Sequence, residues 1–182
     1  MKDLTKGSPS KVMISFAIPV ALGNIFQLCY SLADTRVVGS TLGEAALAAV
    51  GATTSISTLF IGFLSGLTNG FALLIARQFG AGDKKGVTRY GAGCLLLGCI
   101  TSVLLTFICV SSLPFILRLL NVPEALMGQS TAYIRAVLLG LLATMLYNGC
   151  ASILRAVGDT TAPLLFLLFA AALNVALDLL FI

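Results

Sequence analysis

Five long stretches of the chain carry no charged residue: 12–33, 45–76, 90–117, 136–154 and 160–177. Each is near or above the roughly 18 apolar residues that let a helix cross a bilayer. Membrane strands would alternate with period two over about ten residues, whereas these runs are longer and apolar on every side. The pattern predicts helices at about 12–38, 45–76, 90–116, 127–154 and 163–182. The expected class is an all-α integral membrane protein, a polytopic bundle of about five transmembrane helices. Punctuation between the runs agrees. Thr41-Leu42-Gly43-Glu44 reads as a capping box opening the second helix, and Asn121-Val122-Pro123-Glu124 offers a similar start for the fourth. Asp159-Thr160-Thr161-Ala162-Pro163 supplies cap candidates and a first-turn proline for the fifth. Gly80-Ala81-Gly82-Asp83 breaks the chain after the second.

Composition sharpens this. The chain is 58% hydrophobic and 10% charged, with a mean hydropathy of +1.04. A soluble domain carries about 25% charged residues, so a soluble enzyme or binding module is excluded, and the apolar excess excludes disorder. The net charge of +4 does not suggest nucleic-acid binding, because the basic residues sit between apolar blocks. With no His, His-based catalysis and His metal sites are absent. All five cysteines lie in apolar stretches and none forms C-x-x-C. They read as small packing residues rather than redox or metal groups.

Lys and Arg set an expected orientation. With the N-terminus cytoplasmic, the inner set is Lys2, Lys6, Lys11, Arg77, Lys84, Lys85, Arg89 and Arg155, and the outer set is Arg36, Arg118 and Arg135. Eight against three gives N-terminus in. The first apolar run is longer than the 7–15-residue core of a signal peptide and carries Pro19 and Asn24, so it reads as a retained span. Reduced cysteines and short loops suit a bacterial inner membrane.

Polar residues are costly inside a membrane, so their positions are informative. On the first helix Asn24, Gln27, Ser31 and Asp34 are spaced three, four and three, which places them on one face. On the fourth, Thr144, Asn148, Ser152 and Arg155 do the same. On the fifth, Asn174 and Asp178 stand one turn apart. Three polar lines suit a bundle around an aqueous or ion-binding interior. Asp34 lies about 33 Å beyond Val12, and Asp178 about 22 Å beyond Pro163, at 1.5 Å per residue. Both carboxylates therefore fall in the outer half, where they could meet. Rival readings stand beside these. Asp34, two residues from Arg36, is a site carboxylate or an interfacial one. Asp178 is a functional or a structural charge. Thr144 and Asn148 line a cavity or only glue helices together. Pro19 marks a static kink or a hinge. Gly62, Gly66 and Gly70 make two overlapping G-x-x-x-G steps, read as close helix packing. Gly80-Ala81-Gly82-Asp83 also matches the G-x-G-D string of intramembrane aspartyl proteases, but Lys84 and Lys85 follow it in a polar loop, and no second aspartate stands in a matching context.

Asn24-Ile25-Phe26-Gln27, Tyr30 and Asp34-Thr35-Arg36-Val37-Val38-Gly39 resemble the first helix of the multidrug and toxic compound extrusion family. The likeness continues in order through Leu42–Gly51, Ala76–Gly82, Leu154–Thr160 with Pro163, and Asn174–Asp178. This resemblance implies no enzyme but an antiporter that exports small organic, often cationic, compounds against inward Na⁺ or H⁺ flow. It implies twelve helices in two six-helix lobes around a V-shaped cavity. It places a cation or proton site on Asp34, Asn174 and Asp178, where Na⁺ is the possible metal. Asn24, Gln27, Tyr30, Ser31, Thr144 and Asn148 become cavity-lining or substrate candidates. No cofactor is implied beyond the coupling ion. Partners are the substrate, membrane lipid and the missing C-terminal lobe. The chain stops in its fifth helix, so the expectation is a partial N-terminal lobe, inactive alone, without the sixth helix and second lobe. Two rival functions remain: a related lipid-precursor flippase, disfavoured by few basic cavity residues, and a non-transporting structural bundle. The second should tolerate Asn at both Asp34 and Asp178.

Overall fold

The computed structural model describes residues 9–41 and 43–181. Side chains at some helical positions, among them Tyr30, Asp34 and Asp178, lie outside the described set. Six helices follow one another: α1 Pro9–Thr41, α2 Gly43–Gly80, α3 Lys84–Leu119, α4 Glu124–Leu139, α5 Leu141–Ala156 and α6 Thr161–Phe181. Three continuous helical stretches, Leu47–Gly80, Lys84–Leu119 and Glu124–Ala156, are long and apolar enough to cross a membrane. Met13–Cys29 and Thr161–Leu177 are shorter apolar stretches.

The turns explain where helices stop. After α2, Gly82 takes φ +74°, Asp83 N donates to Gln78 O at 3.0 Å and Gly82 N to Phe79 O at 3.1 Å. This left-handed closure satisfies carbonyls that have no partner in the last turn. Gly158, at φ 89°, closes α5 in the same way. Asn121, at φ 53°, closes α3, with Val122 N donating to Leu117 O at 3.1 Å. Asn121 therefore ends α3 and is not the cap that opens α4. That place falls to Pro123, which makes no side-chain cap bond. The side chains of the capping box read at Thr41–Glu44 lie outside the described set. Asp83 caps α3, its Oδ1 accepting from Gly86 N at 3.0 Å. The cap starts α3 at Lys84, six residues before the charge-free run. Asp83→Ala should cost about 1 kcal/mol of unfolding free energy, read from denaturant unfolding in mixed micelles. An unchanged midpoint would contradict the cap.

The fourth span is interrupted. Gly140, with φ −76° and ψ −9°, separates α4 from α5. Just before it, Thr106 Oγ1 of α3 donates to Leu138 O at 2.9 Å. Glycine in a helix interior weakens it, and a side chain bonded to the ladder favours a kink there.

The core is a seam of α2, α3, α4 and α5. Leu64, Cys94, Leu113, Leu117, Ile134, Leu138, Leu141 and Met145 are buried in it. Met145 lies against Gly98, where a Cβ would fall 1.7 Å from Met145 Cε. By contrast, Gly62, Gly66 and Gly70 have nothing within 4 Å of a notional Cβ. The close packing expected at this stripe is absent among the described residues. α1 and α6 form a second layer, packed on each other, with α1 also touching α2 and α6 touching α5.

Candidate functional site

The first half of α1 faces the first half of α6. A Cβ on Gly23 would lie 3.7 Å from Leu164 Cδ1 and 3.8 Å from Leu167 Cδ2. Successive spans are joined by short turns and pack on one another, so α6, four crossings after α1, runs in the same direction as α1. Eleven residues further along each, Asp34 stands level with Val175 to Asp178, since both helices rise equally per residue. By this count Asp34, Asn174 and Asp178 fall toward the same end of two helices that pack on each other. Asn174 Oδ1 is buried and accepts no hydrogen bond among the described residues. A buried acceptor without a donor costs about 1–3 kcal/mol, so this oxygen is a ready ligand for a cation or a proton donor. The side-chain geometry of Asp34 and Asp178 lies outside the described residues.

The remaining polar positions divide. Asn24 and Gln27 of α1 meet Tyr147, Asn148 and Arg155 of α5 and Thr160 of the following turn around a cavity of about 80 Å³. Pro19 lines its edge, so the kink-prone position borders the polar space. Ser31 is exposed, its carbonyl accepting from Thr35 Oγ1 at 2.8 Å. Thr144 Oγ1 donates back to Gly140 O one turn earlier, at 3.2 Å, and does not line this cavity. Tyr30 lies outside the described side chains. Tyr147 adds a hydroxyl that the line of Thr144, Asn148, Ser152 and Arg155 does not include. Its hydroxyl reaches Pro163 O at 3.5 Å and ties α5 to α6.

The chain's relatives agree with this architecture. The MatE family profile matches residues 19–180. The chain belongs to the MatE family. Its members are transporters, not enzymes, built as multi-pass membrane proteins. A probable multidrug resistance protein of Bacillus subtilis, YpnP, is 32% identical over 99% of this chain and 40% of its own length. An FAD transporter of Shewanella oneidensis is 29% identical over 98% of the chain and 40% of its own length. The solved structure of a MOP superfamily transporter from Pyrococcus furiosus superposes with a TM-score of 0.89 at 31% identity. That match covers 96% of this chain and 38% of the other. This MatE chain spans about two fifths of the length of the relatives it matches.

Proposed function

We propose that this chain forms most of the N-terminal lobe of a cation-coupled antiporter that exports small organic compounds. What supports the reading is the buried Asn174 Oδ1, which has no hydrogen-bond partner among the described residues, on a helix packed against α1. Two carboxylates and a carboxamide oxygen make a hard-oxygen set, suited to Na⁺ or to a shared proton. Either occupant relieves the repulsion between the carboxylates. Relief lets α1 repack against α6, and Pro19 is where α1 can bend. Because Pro19 lines the cavity of Asn24, Gln27 and Asn148, bending alters the polar space between the helices. Alternating access needs two bodies to rock against each other, so one lobe alone should not pump. Loss of efflux in Asp34 and Asp178 variants, set out in the Discussion, tests the site.

The proposed location is a bacterial inner membrane with the N-terminus in the cytoplasm. Arg77, Lys84, Lys85, Arg89 and Arg155 gather at the end carrying the turns at 81–83 and 157–160, which the positive-inside rule places in the cytoplasm. On a cysteine-free background, Lys84→Cys should resist a membrane-impermeant thiol reagent in sealed cells and react after permeabilisation. Labelling from outside would invert the orientation.

A further inference from the structure

Among the described residues Arg155 is the only charged side chain lining the 80 Å³ cavity between α1, α5 and the start of α6. Its guanidinium has five donors. Among the described residues its hydrogen bond goes to the neutral Ser152 Oγ, at 3.1 Å from Nη2, and no carboxylate pairs with it. Asp159 is the nearest carboxylate in sequence, but its Oδ1 accepts from Thr161 N at 3.1 Å and Ala162 N at 3.0 Å, capping α6. A half-buried cation without a counter-charge is costly, because desolvation is not repaid. Around it stand further donors: the carboxamides of Asn24, Gln27 and Asn148 and the hydroxyl of Thr160.

We propose that this cavity is an oxyanion site that takes one phosphate group, with Arg155 as its charged anchor. A planar guanidinium matches two phosphate oxygens at once, and the carboxamide N–H groups can serve the others. The volume limits the ligand. A cavity of about 80 Å³ has room for one phosphate head. The phosphate comes either from a lipid headgroup entering between α1 and α6 or from free inorganic phosphate. The site is separate from Asp34, Asn174 and Asp178 and stands whether or not the coupling reading does.

The test uses the purified 182-residue chain in maltoside micelles, which carry no phosphate. Thermal unfolding is followed while inorganic phosphate or phosphatidylglycerol is added. Ligand at about ten times its Kd should raise the midpoint by about 3–6 °C. A rise with inorganic phosphate identifies a free anion; a rise with phosphatidylglycerol alone identifies a lipid headgroup. Arg155→Gln should abolish either rise, while Arg89→Gln at an exposed position of α3 should keep it. If Arg155→Gln does not fold, Asn148→Leu serves, and it should weaken the apparent affinity at least threefold. No rise with either ligand would overturn the proposal. So would an equal rise in Arg155→Gln, or an unaltered affinity in Asn148→Leu.

Discussion

Asp34→Asn, and separately Asp178→Asn, should cut gradient-driven efflux by at least tenfold in a protein carrying both lobes. Either change removes one carboxylate while keeping size and hydrogen-bonding capacity, so expression and thermal midpoint should hold. What is lost is the repulsion that an entering cation or proton relieves, and with it the link between ion binding and the α1–α6 contact. The measurement is substrate efflux from proteoliposomes under an imposed Na⁺ or H⁺ gradient, each ion tested alone. Asn148→Ala, away from the carboxylate level, should lose less than either. The 182-residue chain by itself should give none. Efflux at the parent rate in both Asp variants would return the polar lines to the role of helix glue.

Gly98→Ala should destabilise the bundle by about 1–3 kcal/mol, the usual cost of forcing a methyl into a filled core. The new Cβ would meet Met145 Cε at 1.7 Å, Sδ at 2.7 Å and Cγ at 3.1 Å. Met145 is fully buried, so the close-packed side chains around it limit how far its thioether can swing. Met145→Ala alone should cost about 2–5 kcal/mol through the cavity it leaves. The double variant should be less damaging than the sum of the two by about 1 kcal/mol or more, because the deletion makes space for the insertion. Denaturant unfolding of the four proteins in mixed micelles completes the cycle. A neutral Gly98→Ala would mean that α3 and α5 do not meet at this point.

Hydropathy located the spans because burial in lipid demands apolar runs, but it could not find the helix ends. Lys84–Arg89 is helical though charged, since Asp83 caps it; hydropathy marks the lipid boundary, not the hydrogen-bond ladder. The break at Gly140 was invisible for a different reason. One glycine in an apolar run carries no periodic signal, and Thr106, which bonds Leu138 O beside the break, is 32 residues away. For the site, spacing of three and four aligned Asn24 with Gln27, and Asn148 with Arg155. Which line faces which follows only from the packing of α1 on α6 and of α6 on α5. The glycine stripe on α2 shows the limit of local reading. Small residues permit close approach, but among the described residues nothing lies within 4 Å of where a Cβ on Gly62, Gly66 or Gly70 would stand.

The length of α2 has a consequence for where water begins. Its 38 residues span about 57 Å at 1.5 Å per residue, against a hydrocarbon layer of about 30 Å. Measured upright from Arg77, that layer ends about 20 residues earlier, near Ser57. There the chain reads Thr53, Thr54, Ser55, Ser57, and Thr53, Thr54 and Ser57 turn their hydroxyls onto their own helix carbonyls. The dielectric boundary thus falls inside α2, leaving its first turns among the headgroups. Asp34, seven residues before α1 ends at Thr41, stands at that shallow level. In the proposed antiporter, a coupling ion arriving from that side would cross headgroup water rather than oil, and its capture would be governed by surface potential and local ion concentration more than by a long permeation path.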